Sequence, residues 1–126
     1  MIRLMLVDDQ PHVRQGLRMR LALESDVAVV GEAGDGAEAV TLAETERPDV
    51  VVMDVVMPVM DGFAATEALH SRLPRTAVVI HSLYDDAKTK SRASAVGASA
   101  FVCKCDPAET LLAAIRQAVQ GSGPLH

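Results

Sequence analysis

Asp54 follows four apolar residues in a row, Val50-Val51-Val52-Met53. Three other apolar runs end in a polar group in the same way. Leu4-Met5-Leu6-Val7 delivers Asp8-Asp9, Ala77-Val78-Val79-Ile80 leads through His81 to Ser82, and Phe101-Val102-Cys103 ends at Lys104. If the four ends converge, three carboxylates face one ammonium. Crowded carboxylates repel one another unless a cation joins them. A hard, oxygen-seeking divalent ion, Mg²⁺ or Mn²⁺, suits that shortfall, because it binds through one or two carboxylates and keeps several waters.

Each group also has a plainer reading. Asp8 and Asp9 could be solvated loop acids, Ser82 an ordinary strand-end hydroxyl, and Lys104 a solvated surface charge. His81 reads as a packing or surface residue, since no second histidine lies near it to make a metal site. What separates the readings is whether the elements bring these positions together.

The apolar runs alternate with helical stretches. Pro11 opens the first helix, where its missing N–H costs nothing, and Val13, Leu17 and Leu21 form one stripe. Arg14, Arg18 and Arg20 fall largely off it, and Ser25-Asp26 ends the stretch. Val27-Ala28-Val29-Val30 reads as a strand and Gly31 to Gly36 as a loop whose glycines lack dinucleotide-binding spacing. Asp35 with Glu38 makes a capping-box pattern before a helix carrying Val40 and Ala43, which Arg47-Pro48-Asp49 stops. Asp61-Gly62 starts a helix with Phe63 and Leu69. The stretch from Asp86 to Val96 is crowded with Lys88, Lys90, Arg92 and hydroxyls, so it is expected to be the most weakly docked helix. Gly97 is its cap candidate. Asp106-Pro107-Ala108-Glu109 reads as a full helix start, with Leu111, Ile115 and Val119 as the stripe.

Five strands and five helices in alternation predict an α/β fold: a doubly wound, five-stranded parallel sheet with right-handed crossovers. Strand order 2-1-3-4-5 would gather the carboxyl ends of strands one, three, four and five, with a switch point between one and three.

Composition bounds the function. The 126 residues read as one domain, and 49% hydrophobic content supplies a core that must be aliphatic, because only Phe63, Phe101 and Tyr84 are aromatic. Twelve basic against seventeen acidic residues give a net charge of -5, with no run of three basic residues. Direct binding of nucleic acid by this segment is therefore disfavoured. No signal peptide is visible and no apolar run approaches about 18 residues, so no membrane partner is expected and the cytoplasm is the expected compartment. Cys103 and Cys105, one residue apart, are too close for an ordinary disulfide and lack further cysteines for zinc; they are expected as two reduced thiols at a strand end.

The sequence resembles the receiver domain of two-component response regulators over residues 2 to about 120. Val7-Asp8-Asp9, Met53-Asp54 with Met57-Pro58 and Asp61-Gly62, Ser82, and Gly97-Ala98 with Lys104 carry the likeness. Val29-Val30-Gly31-Glu32-Ala33-Gly34-Asp35-Gly36 is similar to the NarL/FixJ branch, whose members usually continue into a LuxR-type helix-turn-helix. The resemblance implies a flavodoxin-like (βα)5 receiver domain over 1–120, with 121–126 beginning a linker to such an effector. It also implies that Asp54 is the phosphoacceptor for a sensor histidine kinase. Asp8, Asp9 and the Val56 backbone carbonyl would share the metal with Asp54. Ser82 would be the hydroxyl that moves toward the phosphoryl group, Lys104 its cationic partner and Phe101 the switch aromatic. Homodimerisation on phosphorylation and control of transcription follow by the same analogy.

Two positions depart from the family pattern. Proline usually follows the site lysine, often with a cis bond; here Cys105 does, and a cis bond there costs about 3 kcal/mol. The positions two after Asp54 and two after Ser82, which flank the path of the hydrolytic water, are Val56 and Tyr84. Neither is an acid or amide, so self-dephosphorylation is expected to be slow, and the chain is not read as an enzyme. An aspartate-nucleophile phosphatase would want an acid at Val56. A pseudo-receiver would lack part of the acid set, and a flavodoxin would want a hydroxyl-rich loop where Asp8-Asp9-Gln10-Pro11 stands. A stand-alone receiver acting through protein contacts is the other output considered.

Overall fold

The computed structural model describes residues 1–121. Strands β1 (Ile2–Val7), β2 (Val27–Ala33), β3 (Val50–Met53), β4 (Ala77–Ser82) and β5 (Ala100–Cys103) alternate with helices α1 (Pro11–Leu21), α2 (Gly36–Glu46), α3 (Gly62–Arg72), α4 (Ala87–Ala95) and α5 (Ala108–Gly121). The strands form one parallel sheet in the order β2-β1-β3-β4-β5. This is the order expected from the sequence.

Alternation of side chains divides the core in two. Leu4, Leu6, Val50, Val52 and Val79 face α1 and α5, where they meet Leu21, Leu111, Leu112 and Ile115. Met5, Val7, Val51, Met53, Val78 and Ile80 face the other layer and meet Ala39, Val40, Ala43, Phe63 and Leu69. Strands buried on both faces explain the unbroken apolar runs. Each fully buried Leu, Ile or Met contributes about 1.5–3 kcal/mol of transfer free energy.

The helix ends follow their local chemistry. Pro11 is the first residue of α1. Asp35 and Asp61 cap α2 and α3, their side chains accepting from the backbone N–H of Glu38 and Ala64. Gly97, at φ +94°, closes α4: its N–H donates to Ser94 and that of Ala98 to Ala93, the paired bonds that end a helix through a left-handed residue. Only Ala93 of α4 is buried. Its longer contacts with the body are cationic, with Arg92 4.4 Å from the centre of the Phe63 ring and Lys90 5.8 Å from that of Phe101.

Some boundaries differ from expectation. β2 runs on through Gly31-Glu32-Ala33, because β1 extends to Val7 and its partner groups must pair; a register shift between Leu4 and Met5 absorbs Val30. α1 stops at Leu21, ahead of Ser25-Asp26. Asp86 precedes α4 without capping it, its carboxylate accepting instead from the Thr89 hydroxyl at 2.6 Å. α5 starts at Ala108, one residue after Pro107. The linker expected at 121–126 begins with Gly121, the last residue of α5; residues 122–126 lie outside the described residues. No helix among the described residues is long and apolar enough to cross a membrane.

Candidate functional site

Sheet register sets the site. Val7 pairs with Met53, so the residues that follow them, Asp8 and Asp54, leave the sheet side by side at the switch point between β1 and β3. The Asp54 N–H donates to the Val7 carbonyl at 2.9 Å, and the Asp8 N–H to that of Ala33 at 3.1 Å. On the other side Ser82 pairs with Cys103, and the Lys104 N–H donates to the Ser82 carbonyl at 2.8 Å. All four carboxyl ends open into one cleft of about 190 Å³ lined by Asp9, Gln10, Asp54, Val56, Ser82, Leu83, Tyr84 and Lys104.

Lys104 ties the acids together. Its Nζ lies 2.8 Å from Asp8 Oδ2 and 3.3 Å from Asp54 Oδ1. Asp8 and Asp54 are buried, Asp9 is exposed, and each of the three offers a carboxylate oxygen within 4.8 Å of the others. Asp8 Oδ1 also accepts from the Gln10 N–H at 3.0 Å, and Asp54 Oδ1 from that of Val55 at 2.9 Å. Ser82 is buried, and its Oγ accepts from the Tyr84 N–H at 3.0 Å.

The charges are unbalanced. Burial, reinforced by the Asp8 carboxylate, raises the Asp54 pKa above the usual aspartate value, and Lys104 only partly offsets this. Burial works against the Lys104 ammonium, yet its hydrogen bond to Asp8 and the two carboxylate charges outweigh it and raise its pKa. Lys104 therefore stays charged. Two buried carboxylates and a third exposed one, sharing a single ammonium, make an all-oxygen donor set short of positive charge. A hard divalent cation fits such a set.

Asp8, Asp9, Asp54, Ser82, Lys104, Val56 and Tyr84 lie around the one cleft. Phe101 is half-buried on β5, paired with Ile80 two residues before Ser82, with Lys90 over its ring. His81 points to the α1/α5 face, where it is 9% exposed; burial, then the Lys104 charge, lowers its pKa to about 4. It is a neutral packing residue.

One expectation is overturned: Cys103 and Cys105 are joined in a disulfide, with their Cα atoms 5.1 Å apart. In an extended strand, residues two apart stand about 6.6 Å apart. Here the chain turns at once, the Asp106 N–H donating back to the Cys103 carbonyl at 3.0 Å, and the two cysteines draw closer than an extended strand would hold them. The bond after Lys104 is trans, as no cis peptide occurs among the described residues.

Arg14 is a neighbour of the site that the sequence did not reveal. Its guanidinium donates to the Asp8 backbone carbonyl and, at 3.3 Å, to Glu32 Oε1. It lies off the apolar stripe of α1, and no local spacing links it to residues on β1 and β2.

Comparison with known proteins decides the family. The response regulator receiver domain model matches residues 4–116. The chain belongs to that family. Among curated relatives, this receiver domain is 41% identical to the transcriptional regulatory protein LiaR of Bacillus subtilis (strain 168) over 128 residues, covering all of this chain and 60% of LiaR. Among solved structures, the NarL receiver domain from Mycobacterium tuberculosis superposes with a TM-score of 0.90 at 34% identity, covering 95% of this chain and 97% of that one. A LuxR-family response regulator from Aurantimonas sp. SI85-9A1 gives 0.92 at 34% identity, covering 96% and 86%. The relatives are thus LuxR/NarL-type response regulators. The chain spans between 53% and 60% of the length of the first curated relatives it matches.

Proposed function

We propose that this receiver domain is a phosphoacceptor switch in which Asp54 takes a phosphoryl group from a sensor histidine kinase in an Mg²⁺- or Mn²⁺-dependent reaction. The observation that carries this reading is the position of the Lys104 ammonium, 2.8 Å from Asp8 and 3.3 Å from Asp54 though 96 residues from the former.

Asp8, Asp9, Asp54 and the Val56 carbonyl would hold the cation. When bound, it supplies positive charge that neutralises phosphoryl oxygens and the crowded carboxylates. The chain's own groups do the rest. The Lys104 and Val55 contacts with Asp54 are both to Oδ1. Oδ2, which takes no hydrogen bond from the described residues, is the oxygen to attack phosphorus. The bond from phosphorus to the donor nitrogen or oxygen then breaks, and the donor leaves with its electron pair. Lys104 stabilises the charge spread over the equatorial oxygens, a positioning and electrostatic task.

The product adds negative charge and acceptor oxygens in the cleft. Ser82 Oγ keeps its own proton while accepting from Tyr84, and it can donate that proton to a phosphoryl oxygen. Movement of Ser82 opens space for Phe101. α4, held by one buried alanine and two cation–ring contacts, is the element suited to respond. Val56 and Tyr84 line the cleft, and neither side chain is an acid or amide able to orient water, so we assign the switch a slow self-dephosphorylation rather than an enzymatic turnover. Dimerisation and control of transcription through an effector beyond residue 121 complete the proposal, by analogy with the LuxR/NarL-type relatives.

Acetyl phosphate with Mg²⁺, followed by intact mass, tests the central step. A phosphoryl-sized gain in the wild type that is absent in Asp54→Ala is the expected result. Uptake that persists in Asp54→Ala, or none in either, refutes it.

A further inference from the structure

Lys104 sits inside a covalent ring. The disulfide joins the residues on either side of it, with a sequence separation of two. The Cys105 N–H also donates to Cys103 Sγ at 3.2 Å. So short a loop gains little chain entropy from closure, and as a staple for the fold the bridge is poorly placed. Its consequence is local. The ring restricts the backbone on both sides of Lys104, the residue whose ammonium holds Asp8 and Asp54. Proline, the usual residue after the site lysine in such domains, would restrict that backbone permanently; Cys105 does so only while oxidised.

The two sulfurs differ in access. Cys105 is exposed and Cys103 is 7% exposed. This is the arrangement of an attacking thiol with a sheltered resolving partner. Disulfides that form in reducing compartments are usually transient and redox-sensing.

We propose that Cys103 and Cys105 form a redox modification site that controls phosphoryl uptake by positioning Lys104. The inference rests on the reading of Asp54 as phosphoacceptor. The oxidant is a low-molecular-weight disulfide. The Cys105 thiolate attacks one of its sulfurs, forming a mixed disulfide and expelling one thiolate. The Cys103 thiolate then attacks the Cys105 sulfur, closing the ring and expelling the second. The two cysteine protons pass to the two released thiolates, and two electrons pass from the protein to the small disulfide. A dithiol reductant reverses the sequence. Oxidised, the turn holds Lys104 over the acids. Reduced, its backbone gains freedom and the ammonium spends less time there.

The test compares the chain oxidised with glutathione disulfide and the chain reduced with dithiothreitol, each desalted and given phosphoramidate with Mg²⁺. Intact mass reads both the two hydrogens of the dithiol and the phosphoryl group. Uptake by the reduced form is expected to be about tenfold slower, less than the roughly hundredfold cost of losing a charge-stabilising donor outright. Cys105→Ser, a change at an exposed position, is expected to match the reduced wild type and to ignore the oxidant. Lys104→Gln is expected to abolish the difference between oxidised and reduced forms, which a merely structural bridge would leave in place. Equal rates in the two forms, failure of glutathione disulfide to close the bridge, or a redox difference that survives Lys104→Gln each overturn the inference while leaving phosphoryl uptake intact. No uptake in either form overturns both the inference and the reading beneath it.

Discussion

Asp54 and His81 show how burial tunes single groups in opposite directions. Folded Asp54 holds its proton to a higher pH than the unfolded chain does. Its ionisation therefore costs stability as pH rises through that raised range, and the cost is absent well below the ordinary aspartate value. Without divalent cations, Asp54→Asn is expected to raise Tm by a few degrees at neutral pH. The gain should shrink as pH falls toward the carboxylate range, and thermal melts across pH measure it. His81 is a base whose folded pKa is lowered from 6.5 to about 4. Its contribution is complete above pH 6.5 and is lost as pH falls through that window. The loss is about 3 kcal/mol at about 1.4 kcal/mol per unit. Denaturant unfolding of His81→Leu should show a flatter pH profile there. Val56 is 60% exposed beside Asp54, so Val56→Asn changes little but the cleft. If an amide there orients water, acyl-phosphate decay followed by mass should be several-fold faster than in the wild type.

Among the elements, α3 meets the Asp54 loop most closely. A Cβ on Gly62 would stand 1.9 Å from the Asp54 carbonyl oxygen, and the Gly62 N–H donates to the Val55 carbonyl at 2.8 Å. Gly62→Ala must push the helix and the loop apart, at about 2–3 kcal/mol for overpacking backbone against backbone; chemical denaturation is the measurement. Asp61-Gly62 was readable as a helix start, whereas the close approach that demands glycine was not. The same division runs through the other elements. Runs such as Val50–Met53 announce strands buried on both faces, and their polar ends announce the site. The continuation of β2 through Gly31-Glu32-Ala33 depends on the length of its partner β1, which no local pattern contains. The bond between Cys103 and Cys105 depends on a turn at Lys104, and the contact of Arg14 with Asp8 and Glu32 on how α1 lies across β1 and β2. Legibility ends where one segment's conformation is set by another.

Over the whole molecule, the groups assigned to the proposed chemistry are widely scattered along the chain, with Lys104 reaching back 96 residues to Asp8. No strand is joined to its neighbour by a hairpin; every pairing crosses a helix. Sheets closed by such distant pairings assemble late and slowly. A chain without β1 in place has not positioned Asp8 and Asp9, and one without β5 has not positioned Lys104, so the proposed site is complete only when the sheet is. The single tyrosine, Tyr84, lines that pocket, and the chain has no tryptophan to mask its emission. In refolding experiments, an Mg²⁺-sensitive tyrosine signal should therefore emerge only with the slowest phase, after helical circular dichroism has recovered. Under the proposed switch, a chain caught half-made is silent rather than wrongly turned on.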